Sequence, residues 1–327
     1  MRARFRPMMG LPRGYSSRPP EPDDAVAVAG LMTACVRADG GAEGTSVEHV
    51  LDDWHEIDLQ EEAVLVLGPD GDVAGYADVV NRAFVSLTVY GYVHPEYRGL
   101  GIGAWLVGWG EDWGRGRMHL APEEARVVVK HYVISTNTGA RGLLQSAGYK
   151  AVRGTYVMEI YLEGEPPEPE WPEGLAVRTF VLGRDERAPS SRRSRMPSGT
   201  CGTGPGGTYE RFVAMTLNEN FDPSLWFLAT EGEEIAGAAL CKTVAGEGWV
   251  DVVGVRRPWR RRGLGLALLR HAFGEYRRRG VRRVELSVDA GSVSGAPRLY
   301  GRAGMRQMTV YVVYQRELRS GGDSPPG

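Results

Sequence analysis

Apolar residues recur along this chain in two rhythms. A spacing of three and four, the mark of a helix with one buried face, runs through residues 24–37, 46–54 and 138–146. Compact apolar runs of strand length occupy residues 63–67, 73–80, 84–93, 126–135 and 152–161. Gly68-Pro-Asp-Gly71 joins the first two as a hairpin. Residues 163–174 then carry Pro and Glu with no apolar period, which predicts a linker. Beyond it the order starts again. Strands are predicted over 175–181, 225–230, 234–244, 249–255, 283–288 and 305–315, with helices over 265–279 and 295–303. Two α/β domains follow, each a mixed sheet with helices on its faces. Their expected bounds are 14–162 and 175–318, with a disordered lead-in at 1–13 and a disordered tail at 319–327.

In each half one apolar strand runs into a glycine-rich turn that opens a helix. The second copy reads Val255-Arg-Arg-Pro-Trp-Arg-Arg-Arg-Gly-Leu-Gly-Leu-Ala267, and the first reads Val93-His-Pro-Glu-Tyr-Arg-Gly-Leu-Gly-Ile-Gly103. Arg98, Gly101 and Gly103 match Arg260, Gly263 and Gly265 in an Arg-x-x-Gly-x-Gly spacing. Glycine lets the backbone take positive φ and come close to a ligand. A helix start adds unpaired N–H groups and partial positive charge. Such a turn is suited to a phosphate or pyrophosphate. Neither copy ends in the Gly-Lys-Ser/Thr of a P-loop, and neither has the glycine spacing of a dinucleotide fingerprint.

Strand, turn, Arg-x-x-Gly-x-Gly and helix together resemble the acetyl-coenzyme A site of the GNAT superfamily of N-acetyltransferases. The run from Leu286 to Met305 adds to the likeness, with Leu299-Tyr300 and Gly304-Met305 in a helix-like segment. The first copy has Asn137, Ala140 and Gly148-Tyr149, but Leu144 stands where the second has Tyr300. The resemblance implies two tandem acyltransferase domains whose sheets splay around the cofactor. It implies acetyl-coenzyme A contacts at Val253, Val255, Arg260, Arg261, Arg262, Gly263, Leu264, Gly265, Leu266 and Ala267. Ser292 stands where the family commonly has Asn. In the first copy the corresponding residues are Val93, Arg98, Gly99, Leu100, Gly101, Ile102, Gly103 and Asn137.

The same resemblance supplies roles. Tyr300 is the candidate general acid for the departing thiolate. Its phenol, with a pKa near ~10 against ~8.5 for a thiol, needs placement beside the nascent thiolate to give up its proton. Glu285, on a strand expected to border the splay, is the candidate base, ahead of Asp251 and Asp289. With Leu144 in place of a tyrosine, the first domain is expected to bind coenzyme A without turning it over, or to shape the acceptor site. The arrangement is similar to that of tandem members in which the C-terminal domain does the transfer. The expected acceptor is a primary amine of a small molecule or peptide.

Composition narrows little further. The chain has 327 residues, 42% hydrophobic and 24% charged, with a net charge of −2. That balance points to neither nucleic acid nor an anionic membrane. No stretch has the length of a membrane span, and residues 1–13 lack the apolar core of a secretory signal. Cys35, Cys201 and Cys241 have no metal-like spacing, which predicts a reducing, cytoplasmic setting and no metal centre.

One stretch breaks the repeat. Residues 187–207 are rich in Ser, Pro and Gly where the family has its first helix, which predicts a long loop. Read one base over, codons for this stretch can encode an amphipathic helix former, so a frame shift is one explanation. Two function classes stay open at this point. One is an N-acetyltransferase active in the second domain; the other is a non-catalytic acyl-coenzyme A binding or scaffold protein whose acceptor pocket lacks that helix.

Overall fold

Local signals set the elements in place. The computed structural model describes residues 10–41, 44–181, 185, 221–291 and 295–322. Ser46 caps α2 (Val47–His55) by accepting from the His49 amide at 3.1 Å. Asp24 precedes α1 (Ala25–Ala38), but its carboxylate is held by Arg18 at 2.6 and 2.7 Å instead of capping. The short α3 (Leu59–Glu62) leads into β2 (Ala63–Leu67), which a tight turn joins to β3 (Val73–Arg82). Residues 187–207, Ser292 and 323–327 lie outside the described residues.

The chain forms two compact units. Among the described residues, the first comprises 10–154 with 309–322, the second 155–308. In the first, β1 (Ser16–Arg18), β2, β3 and β4 (Ser86–Val93) pair antiparallel in that order. β4 then lies parallel to β5 (Val127–Ile134). The far side of β5 is covered by the C-terminal part of β12 (Arg306–Arg319), with Tyr311 opposite Ile134 and Arg319 opposite Val127. In the second unit, β7 (Ala176–Thr179), β8 (Trp226–Glu231), β9 (Glu234–Val244) and β10 (Glu247–Val255) are antiparallel, and β10 lies parallel to β11 (Arg283–Asp289). The open side of β11 takes β6 (Lys150–Tyr161), from Thr155 opposite Asp289 to Tyr161 opposite Arg283. Each unit thus completes its sheet with a strand that a linear split at 163–174 assigns to the other half. A bare sheet edge needs a partner, and two similar strands satisfy two similar edges. The placed chain also runs past 318: Gly322 bridges to Ala125, and the Arg126 amide donates to the Gly322 carbonyl at 3.2 Å.

The helix after each glycine turn packs on its own sheet, and in the first unit α1 also packs on the strands, with Val28, Leu31 and Met32 against Leu65 and Tyr76. In the first unit, α4 (Ile102–Arg117) buries Ile102, Trp105, Leu106, Trp109 and Trp113. It comes so close that a Cβ on Gly110 would meet Val89 at 2.7 Å and one on Gly114 would meet Leu87 at 2.6 Å. In the second, α6 (Leu264–Arg278) buries Leu264, Leu268, Leu269, Phe273 and Tyr276. Smaller helices follow β5 and β11: α5 (Thr138–Ser146) and α7 (Ala296–Arg302).

Candidate active site

The two glycine turns have nearly the same backbone. Gly101 and Gly263, each just before its helix, sit at φ +90° and +88°, with no atom within 4 Å of where a Cβ would stand. Gly103 and Gly265 face the same neighbours. A Cβ there would meet Leu143 at 3.1 Å and Val93 at 3.7 Å in one copy, and Leu299 at 3.1 Å and Val255 at 3.7 Å in the other. Gly99 and Arg261 both take positive φ, +83° and +63°. An arginine in that left-handed region carries backbone strain that glycine avoids. The first N–H groups of α4 and α6 have no intrahelical acceptor, so Ile102, Gly103, Leu264, Gly265 and the turns before them present donors, whereas the Leu266 amide is already spent on the Gly263 carbonyl at 3.0 Å.

Both sheets splay where the family resemblance implies a gap. β4 and β5 are paired only from Ser86 opposite Val128 to Thr88 opposite Lys130. β10 and β11 are paired only at Gly248 opposite Val284 and Trp249 opposite Glu285. Val93 and Val255 end the diverging strands beside their turns. The copies differ in one strand. β4 pairs with β3 in unbroken register from Ser86 to Val93. β10 shifts register against β9 between Val250 and Val252, so Asp251 is an extra residue and the strand bulges.

The matched glycines fix another comparison. Leu143 and Leu299 make the same contact, so their successors Leu144 and Tyr300 occupy matched positions on α5 and α7. Both are buried, Leu144 at 3% and Tyr300 at 5% exposure. Glu285 lies at the last paired position before the gap opens, and Arg283 donates to its carboxylate at 2.7 Å. Arg283 also reaches Glu159 at 3.0 Å and Glu247 at 3.2 Å. Glu159, fully buried, is held from the other side by Arg306 at 2.8 Å. Asp251 pairs with Lys242 at 3.5 Å.

The arginines around the second turn are not equivalent. The Arg260 Nε donates to the Val255 carbonyl at 2.9 Å. Arg262 donates to the Glu173 carbonyl at 3.2 Å and approaches Glu231 at 3.9 Å. Arg256 stacks on Trp259 and donates to the Ile235 carbonyl. Val253 and Ala267 are core residues, 7% and 1% exposed. Leu100 is exposed on the first turn. In the first unit, Arg98 and Asn137 both bind Asp39, at the end of α1, an arrangement that no local pattern announces. Cys241, fully buried, has its thiol pushed well up by desolvation, as befits a core residue.

These features find their counterpart in known proteins. A sequence profile described as the acetyltransferase (GNAT) family matches residues 33–149 and 200–305. The chain belongs to the GNAT acetyltransferase family. It is an acyltransferase built of two GNAT domains on a mixed α/β fold. It is 30% identical to a mycothiol acetyltransferase of Thermobispora bispora, over 90% of this chain and 97% of that protein. It is 29% identical to one of Streptomyces coelicolor, over 90% and 93%. Among solved structures, a GCN5-related N-acetyltransferase from Sphaerobacter thermophilus is 52% identical, with a TM-score of 0.87 over 96% of this chain and 99% of that one. A tandem GNAT protein from the clavulanic acid biosynthesis pathway shares the fold alone, at 15% identity and a TM-score of 0.68 over 93% and 98%. Among the described residues no helix is long and apolar enough to cross a membrane, and no group of metal-ligating side chains is found.

Proposed function

We propose that the second unit transfers an acetyl group from acetyl-coenzyme A to a primary amine of a small molecule. The observation that carries this reading is Tyr300, a buried phenol on α7 where the first unit has Leu144. Family membership supports acetyl-coenzyme A as the donor. The second turn fits its pyrophosphate, because the space a Cβ would take at Gly263 is open and donors at the start of α6 converge there.

When bound, acetyl-coenzyme A supplies a thioester carbonyl activated toward amines. The chain's own residues supply the rest. Gly263, Gly265 and the α6 start hold the phosphates, with Arg260 and Arg261 adding charge. The bulge at Asp251 turns part of the β10 backbone away from its ladder with β9, which supports N–H donation toward the thioester carbonyl; one such donor is typically worth ~10²–10³ in rate. Tyr300 donates a proton to the departing thiolate. Glu285, at the crotch of the splay, takes the amine proton through water, and Arg283 holds its carboxylate in place.

The relatives named mycothiol acetyltransferase give the first acceptor to try, the des-acetyl form of mycothiol, followed by a panel of amines. Mass spectrometry of the products tests the reading. An acetylated amine formed only with acetyl-coenzyme A and intact protein is expected. Acetylation that persists when the turn is altered at Gly263, and stops when it is altered at Gly101, would move the reaction to the first unit.

A further inference from the structure

The arginine of the first unit's glycine turn is held by a carboxylate of the chain itself. Asp39 ends α1, and its side chain is only 8% exposed. Arg98 binds it with both guanidinium ends, Nη1 to Oδ1 at 2.8 Å and Nη2 to Oδ2 at 3.1 Å. The Asn137 Nδ2 donates to the same Oδ2 at 2.8 Å. The Thr136 hydroxyl donates to the Asp39 carbonyl at 2.5 Å. Arg98 belongs to the turn after β4, and Asn137 and Thr136 to the loop after β5. One carboxylate therefore ties together the two sides of the splay. One turn back on α1, the Cys35 thiol donates to the carbonyl of Val93, the last residue of β4.

A doubly hydrogen-bonded carboxylate on a guanidinium has the charge and the planar two-oxygen geometry of a phosphate edge. The matched arginine of the second unit, Arg260, turns to a backbone carbonyl, and among the described residues it pairs with no carboxylate. A neutral carbonyl gives up an arginine to an incoming phosphate far more readily than an anion does. The backbone of the two turns is otherwise alike, and among the described residues they differ in what holds the arginine.

We propose that Asp39 is a built-in occupant that closes the first unit's cradle to acyl-coenzyme A, leaving one coenzyme A site per chain. This departs from the expectation, drawn from the repeated turn, that both halves bind. It rests on the second unit's turn being the open site.

Titration calorimetry of the full chain with coenzyme A tests it. Wild type takes up one equivalent. Asp39→Ala takes up two, and Asp39→Ala combined with Arg98→Ala returns to one, because the new site needs the arginine that was released. Asp39→Asn removes the charge at nearly constant size and also gains a site, which covers the case in which the alanine variant folds poorly. Two equivalents on wild type overturn the proposal, as does a single equivalent on both Asp39 variants. Zero on wild type with one on Asp39→Ala refutes the second-unit site and upholds the Asp39 closure.

Discussion

Replacing Tyr300 by Phe removes one hydroxyl and leaves the rest of the side chain in place. The ring is 5% exposed and belongs to the second unit's core with Leu264, Leu268 and Val288. Phe keeps that packing, so the change in folding stability is set by the hydroxyl alone. A single hydrogen bond contributes a net ~0.5–1.5 kcal/mol. Losing a general acid in the rate-limiting step costs ~10²–10⁴ in rate, which is ~2.7–5.4 kcal/mol of barrier. The effect on turnover therefore exceeds the effect on stability, and the two separate cleanly. Steady-state kinetics on the best acceptor should show kcat lowered by ~10²-fold or more with KM for acetyl-coenzyme A nearly constant, the sign of an interaction made in the transition state. Circular dichroism melting controls for folding. Tyr300→Leu, which installs the first unit's residue, should be as inactive but less stable, because it also gives up ring packing worth ~1–3 kcal/mol. Turnover of Tyr300→Phe within about threefold of wild type would refute the assignment, since no general acid of ordinary effectiveness is that dispensable.

Gly263→Ala and Gly280→Ala both place a side chain at left-handed φ, +88° and +80°, with no neighbour within 4 Å; each should cost ~1–2 kcal/mol of stability, but only the first should weaken coenzyme A binding by calorimetry. Equal affinity in the two variants would reduce the turn at Gly263 to a connector. In the first unit, burial pushes the Asp78 carboxyl up to about 7 and the His131 imidazole down to about 4. As pH falls from 7 to 4 the folded state takes up a proton at Asp78 and the unfolded state one at an ordinary histidine, so Asp78 favours folding and His131 opposes it, by ~3 kcal/mol each in that window. Urea midpoints at pH 7 and 5 should show Asp78→Asn losing more stability than wild type on acidification and His131→Phe losing less; parallel slopes in all three proteins would contradict both assignments. Resequencing the gene across residues 187–207 decides between a native glycine-rich stretch and a shifted reading frame: a confirmed frame ends the second idea.

What could be read from the sequence was what short segments determine by themselves. Apolar spacing set strands and helices close to their observed bounds, because period and burial are fixed within a few residues. The glycine turn was legible for the same reason: positive φ at Gly101 and Gly263 is a property of one residue. Tyr300 and Leu144 could be matched because each stands four residues before a glycine, Gly304 and Gly148, and the shared contact of Leu299 and Leu143 with Gly265 and Gly103 supports the match. The features that were not legible join distant segments. β6 and β12 alternate alike, so nothing within either strand states which sheet edge it covers. The hold of Arg283 on Glu285 also enlists Glu159, more than a hundred residues earlier. Asp39 is the sharpest case. In the sequence it is an acidic residue ending a helix, indistinguishable from a solvated charge. Its meaning comes only when residues 39, 98 and 137 meet. On the proposed Asp39 closure, a duplicated binding turn does not guarantee a duplicated site, because the ligand's place is filled by a residue from a segment that the motif does not contain.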